Sequence, residues 1–128
     1  MILARTVLIL TALMFLVFGL LFAISPVPWA RKVELIVDTP AATTEIRAFY
    51  GGLEIGFALF LTICVFKTTW ITPGLVVAAL VMGCTALTRV IGMAVDGSGG
   101  STFYLVLAVE AGVALLAVIG AVISRNAA

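Results

Sequence analysis

Residues 44–66 read TEIRAFYGGLEIGFALFLTICVF. The stretch is long and apolar enough to cross a bilayer, which takes ~20 residues, yet it holds Glu54 in its middle. Three further stretches read the same way, at about 2–24, 73–95 and 102–124. The third span carries Arg89 at depth and the fourth carries Glu110. A lone charge in hydrocarbon costs ~2.5–3.5 kcal/mol on insertion scales. Charges kept there face protein, pair with one another or line a polar path. The expected fold is therefore an all-α integral membrane four-helix bundle, one transmembrane domain over residues 1–128, with a buried polar site.

Composition agrees. The chain is 64% hydrophobic and 10% charged, where a soluble domain is ~45–50% apolar and ~25% charged. A net charge of +1 and the lack of a basic run exclude nucleic acid as a partner. There is no histidine. That removes His-ligated haem, carboxylate–histidine metal pairs and triads with a His base. No metal site and no cofactor is expected. Cys64 and Cys84 lie in apolar runs at different depths, which favours small apolar fillers over a redox pair.

Punctuation sets the connections. Ser25-Pro26 stops span 1, whose apolar run exceeds the 7–15 residues of a signal-peptide core and is followed by no small-x-small site. An uncleaved helix is expected. Residues 25–44 form the longest connection. Trp29 beside Arg31 and Lys32 suits the headgroup level. Alternation of Val33, Leu35 and Val37 favours a short extended segment, with a surface-lying amphipathic turn or a plain loop as alternatives. Thr43 and Thr44 are expected N-caps of span 2. Thr72-Pro73 marks the start of span 3, because Pro suits the first helical position. Asp96-Gly97-Ser98-Gly99-Gly100 is a short turn, and Ser101 can cap span 4.

Counting from the 25–44 and 96–101 connections, Glu54 lies ~15 Å deep, Arg89 ~10 Å and Glu110 ~13 Å at 1.5 Å per residue. Phase supports convergence. Arg47, Tyr50, Gly51 and Glu54 share one α-helical face, as do Arg89, Gly92 and Asp96. Phe103, Val106, Glu110 and Ala114 share another, with Tyr104 to its side. Arg89 is the natural hub, since a guanidinium takes two carboxylates and stays charged. One Arg between two Glu leaves a charge of −1, balanced by a protonated Glu, by Arg47 or by a ligand. Small residues along span 4, including Ala108, Gly112, Ala117 and Gly120, suit helix contacts.

The run Glu45-Ile46-Arg47-Ala48-Phe49-Tyr50-Gly51-Gly52-Leu53-Glu54-Ile55-Gly56 resembles a family of small bacterial four-span membrane proteins of unknown function. Arg89-x-x-Gly92 followed by Asp96-Gly97 is similar to that family's third span, and the layout resembles the DoxX-like group. The resemblance implies a compact four-helix bundle and brings no activity with it.

Two functional readings stand. In the first, the protein binds or moves a small amphipathic or ionic ligand, such as a lipid, in the outer half of the bundle. Arg47 and Arg89 would anchor it, Glu54 and Glu110 would orient it or exchange protons, Tyr50 and Tyr104 would line the entrance, and Asp96 would sit nearer the surface. In the second, the chain is an accessory or structural subunit of a larger membrane complex, or a homo-oligomer, and its charges only lock helix packing. An enzyme ranks third, with no nucleophile or cofactor motif behind it. The expected location is the bacterial inner membrane, with both termini cytoplasmic because basic residues slightly favour that side.

Overall fold

The computed structural model describes residues 1–126. Its elements are α1 (Ile2–Ile24), α2 (Pro26–Lys32), α3 (Pro40–Ile46), a π-helical segment (Arg47–Gly52), α4 (Leu53–Phe66), a 3-10 turn (Thr68–Trp70), α5 (Ile71–Asp96) and α6 (Ser101–Asn126). Four helices are long and apolar enough to cross a membrane: Ile2–Ile24, Pro40–Phe66, Thr68–Asp96 and Ser101–Asn126. No strand occurs among the described residues. The protein is all-α, as the apolar runs require.

Local chemistry moves several boundaries. The second long helix begins at Pro40, earlier than Thr43-Thr44 suggests. Thr39 is its cap, accepting a hydrogen bond from Ala42 N at 3.1 Å, with Pro40 in the first position. Thr43 and Thr44 instead turn their hydroxyls back onto the carbonyls of Thr39 and Pro40, four residues earlier. The third long helix starts with the Thr68–Trp70 turn, and α5 proper begins at Ile71. Pro73 therefore sits within the first turn, where its missing N–H is no loss. Gly97 closes α5 in the left-handed region at φ 65.

Of residues 33–37, the first two form the turn at the end of α2 and the rest lie in no helix or strand. Pro26 and Pro28 fit the first turn of α2, which ends in a left-handed cap. Leu35 N donates to Ala30 O at 2.9 Å and Glu34 N to Arg31 O at 3.1 Å. This is the paired 6→1 and 5→2 pattern of a Schellman ending. The left-handed position is held by Glu34, at φ 63, in place of the usual glycine.

The chain divides into two compact units. One holds Ile9–Ile63; the other holds Met1–Leu8 and the chain from Cys64 on. In the Ile9–Ile63 unit, α1 packs on the π segment and α4 through glycines and aromatics. A β-carbon at Gly51 would lie 2.9 Å from the backbone of Ala23, and one at Gly19 would lie 2.9 Å from Ile55 N. Around this close approach, Phe22 meets Tyr50 with ring centroids 5.1 Å apart, and Phe15 meets Phe57 edge-on at 4.7 Å.

In the other unit, α5 and α6 form an antiparallel hairpin. Arg89 meets Glu110, Gly83 faces Ala114, Leu75 packs on Gly120, and Thr72 meets Ser124. The buried stripe of α5, Ile71, Leu75, Ala78, Met82 and Ala86, keeps a three-to-four-residue spacing that leads on to Arg89. Cys64 packs against Gly74, where a β-carbon would lie 2.8 Å from Cys64 Cβ. Both cysteines are free thiols, Cys64 buried and Cys84 exposed. Arg5 donates to Thr68 Oγ1 at 3.1 Å, and Thr72 shares a 2.6 Å hydrogen bond with Ser124. Arg5, Lys67 and Arg125 thus gather at one end of this unit. Its two acids, Asp96 and Glu110, lie toward the 97–100 turn.

Candidate functional site

The hairpin delivers the ion pair that matched depth suggests. Arg89 Nε donates to Glu110 Oε2 at 2.8 Å, and Nη2 donates to Oε1 at 2.5 Å. Both carboxylate oxygens are engaged by one guanidinium edge, the strong bidentate form of this contact. The Glu110 side chain is 8% exposed and that of Arg89 25%. Glu110 belongs to a stripe with Ala117 and Ser124, each seven residues on and each buried. Two helical turns thus aim its carboxylate at the same neighbour that Ala117 and Ser124 face.

The Ile9–Ile63 unit sets Arg47, Tyr50 and Gly51 against α1. The sequence places Arg47, Tyr50, Gly51 and Glu54 on one α-helical face. The π segment breaks that register, because i→i+5 bonding takes up one extra residue. At ~100° per α-helical residue, the face turns by roughly that amount. Arg47, Tyr50, Gly51 and Ile55 all address α1. Arg47 Nη1 donates to the carbonyl oxygen of Ala23. That carbonyl is among the last four of α1, which lack partners within the helix. Arg47 therefore completes the end of α1. Tyr50 lies against Phe22.

Glu54 is half-buried, and its Oε2 is shielded from solvent with no hydrogen-bond partner. Asp96 and Tyr104 are exposed. The Asp96 carboxylate lies back over Gly92, 3.5 Å from where a β-carbon there would stand. Among the described residues no three carboxylates or thiols gather as metal ligands do.

Three features have little or no signature in the sequence. The π segment follows no compositional rule, although a Gly-Gly pair is one place where helices depart from regular geometry. The Thr72–Ser124 bond joins hydroxyls 52 residues apart. Lys32 Nζ stands 3.8 Å above the Trp29 ring and Lys67 Nζ 4.7 Å above that of Trp70. Of these cation–π contacts, the sequence points only to that at Trp29, through the basic residues beside it.

Four helices long and apolar enough to cross a membrane, among them those that carry the bidentate Arg89–Glu110 pair and the shielded Glu54 Oε2, define a multi-pass membrane protein. Residues 3–121 match the family model described as Domain of unknown function (DUF4345). The chain belongs to that family. No curated protein and no solved structure matches it.

Proposed function

We propose that this protein binds a small amphipathic or ionic ligand within the membrane, and that Glu54 is the group that meets it. The observation behind this reading is Glu54 Oε2, buried and without a hydrogen bond on a membrane-spanning helix. A carboxylate oxygen in such surroundings costs free energy until it gains a proton or a donor. A ligand with an ammonium or hydroxyl head and an apolar body supplies the donor and tolerates the surroundings. The π segment beside Glu54 supports the reading, since such segments are frequent at functional sites. Arg47 and Tyr50 act here by shaping the end of α1 next to that segment.

The Arg89–Glu110 pair carries the second reading in part. Its charges answer one another, so in this proposal it fastens α5 to α6 and does not contact the ligand. The resemblance to small bacterial four-span membrane proteins supports a bacterial inner-membrane location, and the basic residues Arg5, Lys67 and Arg125 support cytoplasmic termini.

The test uses decylammonium as probe on protein purified in a neutral detergent. Wild type is expected to gain several degrees in Tm at saturating probe, and Glu54→Gln to gain almost none. Without probe, Glu54→Leu is expected to raise Tm, because an unsatisfied buried polar group costs about 1–3 kcal/mol. Equal probe shifts in wild type and Glu54→Gln would refute the ligand reading. A fall in Tm for Glu54→Leu would show that Glu54 is a structural partner.

A further inference from the structure

The outer surface of the α5–α6 hairpin carries a groove of about 240 Å³. Val76, Ala79 and Leu80 form one wall, Val118 and Val122 the other, and the aliphatic part of the Arg125 side chain closes one end. We propose that this groove holds one acyl chain of an anionic phospholipid, with the lipid phosphate on Arg125.

The lining dictates an occupant with one charged end. Apart from Arg125 the groove walls are aliphatic. Val118 lies seven residues before Arg125, so the apolar part extends ~10 Å along the helix from the Arg125 backbone. That matches the path of a chain descending from its headgroup. Ala79, small beside Val76 and Leu80, leaves the room. A free phosphate gains nothing from such walls, which singles out a lipid.

Charge decides which lipid. Arg5, Lys67 and Arg125 lie at this end of the unit, while Asp96 and Glu110 lie toward the other. Arg5 is tied to Thr68, and Lys67 stands over Trp70, so both are held near the surface where headgroups sit. Clustered basic residues beside a span attract anionic headgroups. A zwitterionic head would bring its own cation to a site already positive.

Native mass spectrometry of the purified protein, given equimolar phosphatidylglycerol and phosphatidylcholine, tests the proposal. Wild type is expected to retain phosphatidylglycerol at least five-fold over phosphatidylcholine. Arg125→Gln should bring the ratio near one. Ala79→Phe, which fills the groove and keeps every charge, should lower phosphatidylglycerol retention at least three-fold; if that variant loses its helical circular dichroism, Val118→Phe fills the groove from the opposite wall. Parity between the lipids in wild type would overturn the proposal. So would undiminished retention in a folded groove-filling variant, which would mean that the headgroup is attracted with no chain seated.

Discussion

Arg89 and Glu110 illustrate how much of a side chain's partner can be read from depth alone. Counting along two helices that start from one turn brought both charges to one level, and the structure joins them through two hydrogen bonds. Loss of one member leaves the other charge poorly compensated, which costs ~3–5 kcal/mol for a fully buried pair. Arg89 is a quarter exposed, so the lower end of that range applies. Arg89→Met is expected to lower Tm more than the double variant Arg89→Met with Glu110→Gln, because the second change removes the stranded carboxylate. Thermal unfolding of wild type, single and double variants in one detergent decides it; a double variant less stable than the single would contradict the argument. Glu54 was not legible in the same way. Its depth follows from the sequence, but the π segment just before it is a backbone feature that no side chain announces.

That feature belongs to the scale of elements. Sequence periodicity assumes 3.6 residues per turn throughout, and Arg47–Gly52 does not obey it. The four long helices were legible because only length and apolarity were needed, and neither depends on turn geometry. The glycines of the π segment separate cleanly. A β-carbon at Gly51 would collide with Ala23, whereas one at Gly52 would meet nothing within 4 Å. Gly51→Ala should destabilise by about 1–3 kcal/mol through overpacking. Gly52→Ala should be neutral or stabilise by up to ~1 kcal/mol through reduced chain entropy. Equal Tm changes for the two would reject the close packing of α1 on this segment. The end of α2 offers a second contrast. A side chain in the left-handed region costs ~1–2 kcal/mol, offset in part by the greater freedom that glycine loses on folding. Glu34→Gly is therefore expected to stabilise this turn slightly, read as slower hydrogen exchange at Leu35 N, whose bond to Ala30 O depends on it. Faster exchange in the variant would mean that Glu34 holds the turn by some contact of its own. Alternation at 33–37 registers side chains only, and so gave no sign of the backbone cap that Val33, Glu34 and Leu35 form.

At the scale of the whole chain, four crossings place successive connections on alternate sides of the membrane. Arg5, Lys67 and Arg125 then share one side, and Arg31, Lys32, Glu34, Asp38, Glu45, Arg47 and Asp96 fall on or near the other. Basic residues near span ends favour the cytoplasm, and acids contribute little. Each side has three basic residues, and Arg47, bound to the Ala23 carbonyl, is the deepest of them, so the side of Arg5, Lys67 and Arg125 is expected to be cytoplasmic. Cysteine introduced singly at Asp38 or Asn126, in a background with Cys64→Ala and Cys84→Ala, tests this in intact cells. A membrane-impermeant maleimide should label position 38 and spare position 126. The opposite pattern would invert the orientation. Span number and connection order were legible because each reflects the thickness of the hydrocarbon core. Which carboxylate lacks a partner was not, because that depends on contacts between residues far apart in sequence.

The π segment also bears on how this family can vary in length. Its wide turn accommodates one residue more than an α-turn in the same helix. Removing one residue between Ile46 and Leu53 would let the helix close as a regular α-helix while both flanking stretches keep their orientation. Elsewhere in the spans a one-residue deletion would rotate everything beyond it by ~100° and carry buried faces into lipid. Relatives that differ from this chain by a single residue within a span are therefore expected to carry the gap here, and those that carry it should lack the wide turn beside the position of Glu54.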